Sequence, residues 1–280
     1  TFLVVGFDAT VESNMPALSQ LVARGHEVGN HSFEHESWLH LYSRAQLEEE
    51  IEKAEHAIAA ATSQRPRGFR GPGYSWSETL LEVLAGRDYL YDASTLPTYL
   101  GPLARAYYFA TAGKGMSKTP ERKTLFGTFR DGLRPVNAYE WALRDGRSLL
   151  EIPVTTIPGI KAPFHFSYLL FLARKSEALA FGYLRTALAI CRATGVEPSF
   201  LLPPLDLMGG HEVSELAFFP GMDLPSRRKR ELFSKALTIL GEHHTPVTMS
   251  AHANAIRART RLARRTPDAA PTVAAHSAAR

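Results

Sequence analysis

The chain of 280 residues contains a single cysteine, so no disulfide can form within it. Cys191 lies in a helical pattern of apolar residues, which favours a small packed side chain over a reactive nucleophile. No apolar run approaches the length of a membrane-spanning helix, and the first residues show no secretory signal pattern. We therefore predict no disulfide framework and no transmembrane segment, while a cytoplasmic and a cell-envelope location both stay open.

The chain also lacks a large excess of either acidic or basic residues, since 32 Lys and Arg against 28 Asp and Glu give a net charge of only +4. Much of the excess lies between Arg257 and Arg265, where a basic patch could contact nucleic acid or acidic lipid. A solvated, fraying C-terminus is the simpler interpretation, so we expect no nucleic-acid partner. We expect residues 256–280 to form a basic, disordered tail, because Pro267 onward is rich in Ala, Pro and Thr.

Short apolar runs alternate with amphipathic stretches along the chain, a pattern that predicts an α/β fold with a parallel sheet. A capping box at Ser43 and Gln46 predicts the start of one helix, and another at Ser75 and Glu78 predicts the start of a second. Residues 93–147 look irregular. About seven strands favour a distorted (β/α) barrel over residues 1–255, with its chemistry at the C-terminal ends of the strands. The predicted strands are 1–5, 26–30, 68–70, 89–91, 149–154, 199–202 and 247–250.

Two histidines, His31 and His35, follow directly after the predicted strand 26–30. If this segment forms a helical turn, both imidazoles lie on one face and can bind one metal ion. By spacing alone, a metal site and an ordinary pair of surface or core histidines are about equally supported.

A second polar segment, residues 69–74, follows the predicted strand 68–70. Its glycines allow unusual dihedral angles and a close approach of the backbone. Arg70 could orient a carboxylate, and a backbone N–H near Tyr74 could face a developing oxyanion. Taken alone, the segment is better explained as a tight turn that carries a surface arginine.

The two segments together resemble the motifs of one family. Gly-His-Glu-Val-Gly-Asn-His-Ser-Phe-Glu-His at 25–35 resembles the metal-binding motif of the polysaccharide deacetylases, the NodB-homology family, and Arg-Gly-Pro-Gly-Tyr at 70–74 resembles their arginine-proline-aromatic motif. Residues 1–6 are similar to the strand before the first motif. Asp92 resembles the family's next acidic motif, without the tryptophan that usually follows. The resemblance is specific over about 1–92 and recognisable again over 149–223.

This resemblance implies a metal-dependent hydrolase that removes N-acetyl groups from an amino-sugar-containing glycan or glycan precursor. It implies that His31 and His35 bind Zn²⁺, or Co²⁺ or a similar ion, which would polarise the acetamide carbonyl beside an attacking water. Arg70 would hold the general base in place, and the backbone N–H of Tyr74 would bind the oxyanion. Pro72 and Asp92 would contribute to substrate binding.

The chain departs from the family pattern in two places. The aspartate pair that supplies the base and the third metal ligand is missing. We interpret Asp8 as a residue of a helix N-terminus, and we expect the aspartate strand to lie upstream of Thr1. Pro203 occupies the place of the general-acid histidine, for which His165 or His211 could substitute. The alternative is therefore a catalytically impaired, carbohydrate-binding relative with the same fold.

Overall fold

The computed structural model describes residues 1–101, 103, 128–217, 221–259 and 261–267. The chain divides into two compact units, each of which is described here by itself. The first comprises Thr1–Thr95, Ala138–Ile152 and Thr248–Arg280, and the second comprises Leu96–Asn137 and Pro153–Val247. The assignment of residues 1–255 to a single barrel domain stays a prediction.

The first unit is built on one seven-stranded sheet with the order β1-β2-β3-β4-β6-β5-β7. Its strands are β1 Phe2–Val4, β2 Val28–Asn30, β3 Gly68–Phe69, β4 Tyr91–Asp92, β5 Tyr139–Ala142, β6 Ser148–Glu151 and β7 Arg264–Arg265. All neighbouring strands pair in parallel except β5 and β6, which are antiparallel. The predicted α/β class with a mostly parallel sheet is confirmed, and closure into a barrel stays a prediction.

Two of the predicted strands are wrong, and two observed strands were missed. Residues 199–202 form no strand, and residues 247–250 lead into a helix that begins at Met249. A short apolar run cannot by itself distinguish a strand from other buried backbone, which explains both errors. The missed strand β5 lies in the segment expected to be irregular, and β7 consists of two arginines without any apolar signal.

The helices of the described residues are α1 Gly6–Thr10, α2 Met15–Ala23, α3 Arg44–Thr62, α4 Glu78–Gly86, α5 Phe166–Ala173, α6 Glu177–Ala193, α7 Ser226–Gly241 and α8 Met249–Arg259. The capping box of Ser43 and Gln46 at the start of α3 is confirmed. The second predicted box is wrong, because Ser77 rather than Ser75 caps α4. Ser75 instead accepts a hydrogen bond from the backbone N–H of His40.

The core of the first unit lies between the sheet and α3 and α4. The period of α3 places one apolar stripe against this core, and Leu47, Ile51, Ala54 and Ile58 are completely buried. Burial of such a stripe supplies most of the stability of a helix in a folded protein.

The second unit packs α5, α6 and α7 around its own apolar cluster, which includes Phe166, Leu184 and Leu232. Cys191 is completely buried in this cluster, and burial raises the pKa of its thiol to about 11. The predicted role of Cys191 as a small packed side chain agrees with this environment.

The expected disordered tail differs from the structure in its first part. Residues 256–259 continue α8, and Arg264–Arg265 pair in parallel with β5. Ile256 is buried, so the tail boundary after residue 255 falls inside a packed helix. Residues 268–280 lie outside the described part of the chain. Within that described part, none of the helices combines the length and the apolar character that crossing a bilayer requires.

Candidate active site

The two predicted metal-binding histidines lie in a loop directly after β2. The segment forms no helical turn, as the spacing argument had assumed, because Ser32 and His35 adopt left-handed backbone conformations with φ 65 and φ 61. The loop nevertheless brings the two imidazoles together, with 4.9 Å between the ring centroids of His31 and His35 and an interplanar angle of 64°. The pairing is therefore as predicted, but loop geometry produces it.

Two side chains hold this histidine loop, residues 31–35, in shape. Asn30 accepts a hydrogen bond from the backbone N–H of Ser32 through Oδ1, at 2.8 Å. Glu50 on α3 accepts the backbone N–H groups of Phe33 and Glu34 with a single oxygen, Oε1, at 2.9 and 2.7 Å. Glu50 was not among the residues predicted to belong to the site. Its position on the same face of α3 as the buried apolar residues could have indicated that Glu50 is not a solvated surface residue.

The environment keeps both imidazoles neutral. His31 Nδ1 lies 2.6 Å from the backbone oxygen of Arg70, a contact in which Nδ1 carries the proton and Nε2 keeps its lone pair. Burial lowers the pKa of His31 to about 3, although the hydrogen bond to Arg70 opposes the shift. Burial also lowers the pKa of His35, and the charge of Asp8 partly offsets this. A neutral imidazole is the form that binds a metal ion.

Arg70 is buried rather than a surface arginine. Its backbone N–H donates to Asn30 across β2 and β3, and its Nε donates to the backbone oxygen of Ala93 at 2.8 Å. Only 7% of the residue is exposed, and burial lowers the pKa of the guanidinium while nearby acidic groups such as Asp92 oppose that shift. A buried guanidinium is suited to holding a carboxylate.

The Arg70–Tyr74 turn follows β3 and is tightly folded. A Cβ on Gly71 would lie 1.9 Å from the backbone oxygen of Ser75, so this position requires glycine. Tyr74 adopts φ 62, and its backbone N–H donates to the backbone oxygen of Gly71 at 3.1 Å. Pro72 is buried. To bind an oxyanion, the backbone N–H of Tyr74 would therefore have to share or give up its hydrogen bond to Gly71. The oxyanion contact stays a prediction.

Asp92, expected to contribute to substrate binding, is completely buried at the end of β4. It accepts a hydrogen bond from Ser94 and lies beside Glu151, its register partner on β6. The sequence analysis did not single out Glu151. Its burial depends on strand pairing between distant segments, so no local pattern could have identified it.

The donor set fits a metal ion in part. His31 and His35 offer two neutral imidazoles in contact, which matches two positions of a typical zinc site. Among the residues that the structure describes, no group of three His, Cys, Asp or Glu side chains is close enough to hold an ion. Asp8 lies near enough to His35 to influence its pKa, but it belongs to the first turn of α1, as expected for a helix N-terminus.

The second unit contains the residues expected to replace the general acid. Pro203 precedes a short 3-10 turn, Pro204–Leu207, rather than ending a strand. His165 is buried with its ring centroid 4.7 Å from that of Tyr168, whereas His211 is exposed. Burial raises the pKa of Asp206 to about 6, against the opposing effects of Ser167 and Lys229. Asp206 is thus a further titratable group, which the sequence analysis did not consider.

Fold and site together define an α/β protein whose chemistry-bearing side chains lie where adjacent parallel strands end. The family model described as polysaccharide deacetylase matches residues 1–91, the segment that carries both the histidine loop and the Arg70–Tyr74 turn. Residues 1–91, the N-terminal third of the chain, are thus similar to the family that the sequence motifs resemble.

Two curated proteins are similar to parts of this chain. The chain is 37% identical over 87 residues to the chitooligosaccharide deacetylase of Bradyrhizobium sp. (strain ANU 289), covering 30% of this chain and 38% of that protein. It is 27% identical over 109 residues to the peptidoglycan deacetylase of Helicobacter pylori (strain ATCC 700392 / 26695), covering 39% of this chain and 35% of that protein. The chain thus matches little more than a third of the length of either relative.

One solved structure resembles almost the whole chain. It is a crystal structure from Mycobacterium smegmatis, of a protein assigned to the polysaccharide deacetylases, with a TM-score of 0.57 and 18% sequence identity. The superposition covers 95% of this chain and 75% of the other. At this identity the likeness concerns the fold alone, and it supports the α/β architecture described above.

Proposed function

We propose that this chain acts as a metal-dependent hydrolase that removes N-acetyl groups from an amino-sugar-containing glycan or glycan precursor. One observation carries the proposal: the neutral imidazoles of His31 and His35 lie in contact, and His31 Nδ1 is hydrogen-bonded to the backbone oxygen of the buried Arg70, where β2 and β3 end. The names of the two curated relatives, a peptidoglycan and a chitooligosaccharide deacetylase, support an N-acetylated glycan as substrate.

His31 and His35 would hold the ion, which we propose to be Zn²⁺ or Co²⁺. When bound, such an ion supplies a Lewis acid for the amide carbonyl and lowers the pKa of a coordinated water. The backbone oxygen of Arg70 fixes the tautomer of His31, so that Nε2 stays available as a ligand atom. The hydrogen bonds from the histidine loop to Glu50 fix the loop before an ion arrives.

Arg70 would orient the carboxylate that serves as general base. Its burial favours this role, because a guanidinium in a site of low polarity attracts an anion more strongly than one in water. Tyr74 would contribute its backbone N–H to the oxyanion, and Pro72 would shape the wall of the substrate site. Asp92 is completely buried, so it would act by supporting the Arg70–Tyr74 turn.

Metal binding by the 280-residue chain tests the site directly. After treatment with a chelator, calorimetric titration with Zn²⁺ or Co²⁺ should show about one ion per chain. The double variant His31→Ala/His35→Ala should lose this binding, because both ligands are removed. His56→Ala is the matched control, since His56 is an exposed histidine on α3. Unchanged metal content in the double variant would contradict the site assignment.

Acetate release from N-acetylated chitooligosaccharides and from peptidoglycan tests the reaction. The alternative, a carbohydrate-binding relative with impaired catalysis, is favoured by Pro203 in the place of the family's histidine, since losing a general acid costs about 10²- to 10⁴-fold in rate. Glycan binding without acetate release at any metal concentration would support that alternative.

A further inference from the structure

Two carboxyl groups lie side by side in the interior of the first unit. Asp92 on β4 and Glu151 on β6 are register partners on adjacent parallel strands, and both residues are 0% exposed. Two neighbouring carboxylate ions in such a place would repel each other and would both lack the solvation of water. The pair therefore needs either a cation between the groups or a proton.

Hydrogen bonding shows which oxygen needs a donor. Asp92 Oδ1 accepts from Ser94 Oγ at 2.5 Å. Glu151 Oε1 accepts from the N–H and the hydroxyl of Thr95 at 3.0 and 2.6 Å, and Oε2 accepts from Trp141 Nε1 at 3.1 Å. Among the described residues, nothing donates to Asp92 Oδ2, although it is buried. A proton on Glu151 would supply the donor that Asp92 lacks.

The surrounding charges favour one proton on the pair. Arg70, at the end of β3, is a nearby cation, and Tyr139 on β5 is the other register partner of Glu151. One guanidinium with two carboxyl groups is neutral overall when the pair shares a single proton. Burial raises the pKa of Glu151 well above its ordinary value, and the charge of Asp92 raises it further. Burial raises the pKa of Asp92 as well.

The pair is connected to the Arg70–Tyr74 turn through Ala93 and Ser94, the two residues that follow β4. The backbone N–H of Gly71 donates to Ser94 Oγ at 2.8 Å, and Ser94 in turn donates to Asp92. Arg70 Nε donates to the backbone oxygen of Ala93. A change at Glu151 can therefore reach the turn through the hydrogen bonds that Ser94 makes with Asp92 and Gly71.

We propose that Glu151 is a positioning residue of this site, which acts as a neutral carboxylic acid by donating its proton to Asp92 Oδ2. In this form it fixes Asp92 and Ser94, and these hold the Arg70–Tyr74 turn in place. The contacts that support a protonated Glu151 all lie within the first unit. The contribution of Glu151 to deacetylation rests on the proposed function. Gln is the closest replacement, because its amide can also donate to Asp92.

Carboxyl titration by ¹³C NMR of the full chain measures the protonation directly. The side-chain resonance of Glu151, assigned by its absence in Glu151→Gln, should keep the position of a protonated acid at pH values above the ordinary pKa of a glutamate, about 4.3. Ionisation of Glu151 at that ordinary pKa would overturn the proposed protonation.

The pH dependence of stability gives a second readout. The pKa of Glu151 is raised in the folded protein, so as pH rises Glu151 ionises first in the unfolded chain. The free energy of unfolding of the wild type therefore falls as pH rises above the unfolded-state pKa of Glu151. The fall ends once Glu151 has ionised in the folded protein too. Glu151→Gln should remove this loss. Glu140→Gln, on the adjacent strand β5 and ion-paired with Arg264 at the surface, is the matched control and should keep the wild-type profile. Identical profiles for the two variants would contradict the proposal.

Kinetics separates positioning from stability. Glu151→Ala should lower kcat about 10- to 100-fold with little change in KM, whereas Glu151→Gln should recover most of the rate. A wild-type kcat in Glu151→Ala would reject the positioning role. If the wild type releases no acetate although the NMR titration shows a protonated Glu151, the proposed function fails and the proton assignment stands.

Discussion

Gly71 shows how much of the candidate site depends on a single position. The residue follows directly after Arg70, and its missing side chain allows the backbone oxygen of Ser75 to occupy the place that a Cβ would take. The turn is stabilised further by the hydrogen bond from Tyr74 N–H to Gly71. Arg70 and Tyr74 owe their relative positions to this close approach.

We expect Gly71→Ala to lower the free energy of unfolding by about 1 to 3 kcal/mol, because the added methyl group collides with backbone that cannot move aside. Gly182→Ala is the control, since Gly182 lies within α6 and a Cβ there meets open space. That variant should raise the stability by about 0.5 to 1 kcal/mol, because glycine weakens a helix. Urea unfolding of both variants measures the difference, and equal effects would contradict the clash.

At the scale of elements, the histidine loop is not self-supporting but depends on α3. Glu50 is 7% exposed and accepts two backbone N–H groups of the loop. The carboxylate therefore accepts backbone hydrogen bonds of the loop, as a neighbouring strand accepts those of a strand in a sheet. Since α3 begins with a capping box and buries an apolar stripe, the helix is a rigid support for this contact.

Glu50→Ala should lower the free energy of unfolding by about 1 to 3 kcal/mol, because two partly buried N–H groups lose a charge-bearing acceptor. If His31 and His35 bind metal as proposed, the affinity for Zn²⁺ should also fall about 10- to 100-fold. Glu49→Ala is the control, because Glu49 is exposed and pairs with Lys53 at the surface, a contact worth less than about 1 kcal/mol. Unfolding and calorimetric titration distinguish the two effects. Unchanged stability in Glu50→Ala would contradict the support of the loop by α3.

At the scale of the whole molecule, the first unit is assembled from three separate chain segments. Glu27 connects two of them, because its carboxylate accepts hydrogen bonds from Thr1, from the hydroxyl of Tyr91 and from both the N–H and the hydroxyl of Ser250. The helix α8 thus begins against residues from the opposite end of the chain.

Glu27→Ala should reduce the free energy of unfolding by about 2 to 4 kcal/mol, since one charged acceptor serves several donors. Amide hydrogen exchange should become faster in α8, which loses the acceptor at its first turn. Glu12→Ala removes an exposed glutamate and should change the stability by no more than about 0.5 kcal/mol. If exchange in α8 stays at the wild-type rate in Glu27→Ala, the connection contributes less than we propose.

The elements that could be predicted are those that local patterns specify. The strands β1 to β4, the capped helix α3 and the two glycine-rich or histidine-rich segments each have a signal within a few neighbouring residues. The edge strand β7 consists of two arginines and has none, because a polar edge strand forms only where a partner offers free hydrogen-bonding groups. The histidine pairing was expected for an incorrect reason, since left-handed residues rather than a helical turn bring the rings together.

By itself, the sequence predicted the α/β class, the resemblance to the polysaccharide deacetylases and the segments that carry His31, His35 and Arg70, because motif residues are contiguous and periodicity acts over short distances. Only the tertiary structure decided that Arg70 is buried, that Glu50 holds the histidine loop and that Asp92 lies against Glu151. These relations join residues that are far apart in the chain. The charge state of a buried carboxyl group depends on what surrounds it in space, which no local pattern of residues encodes.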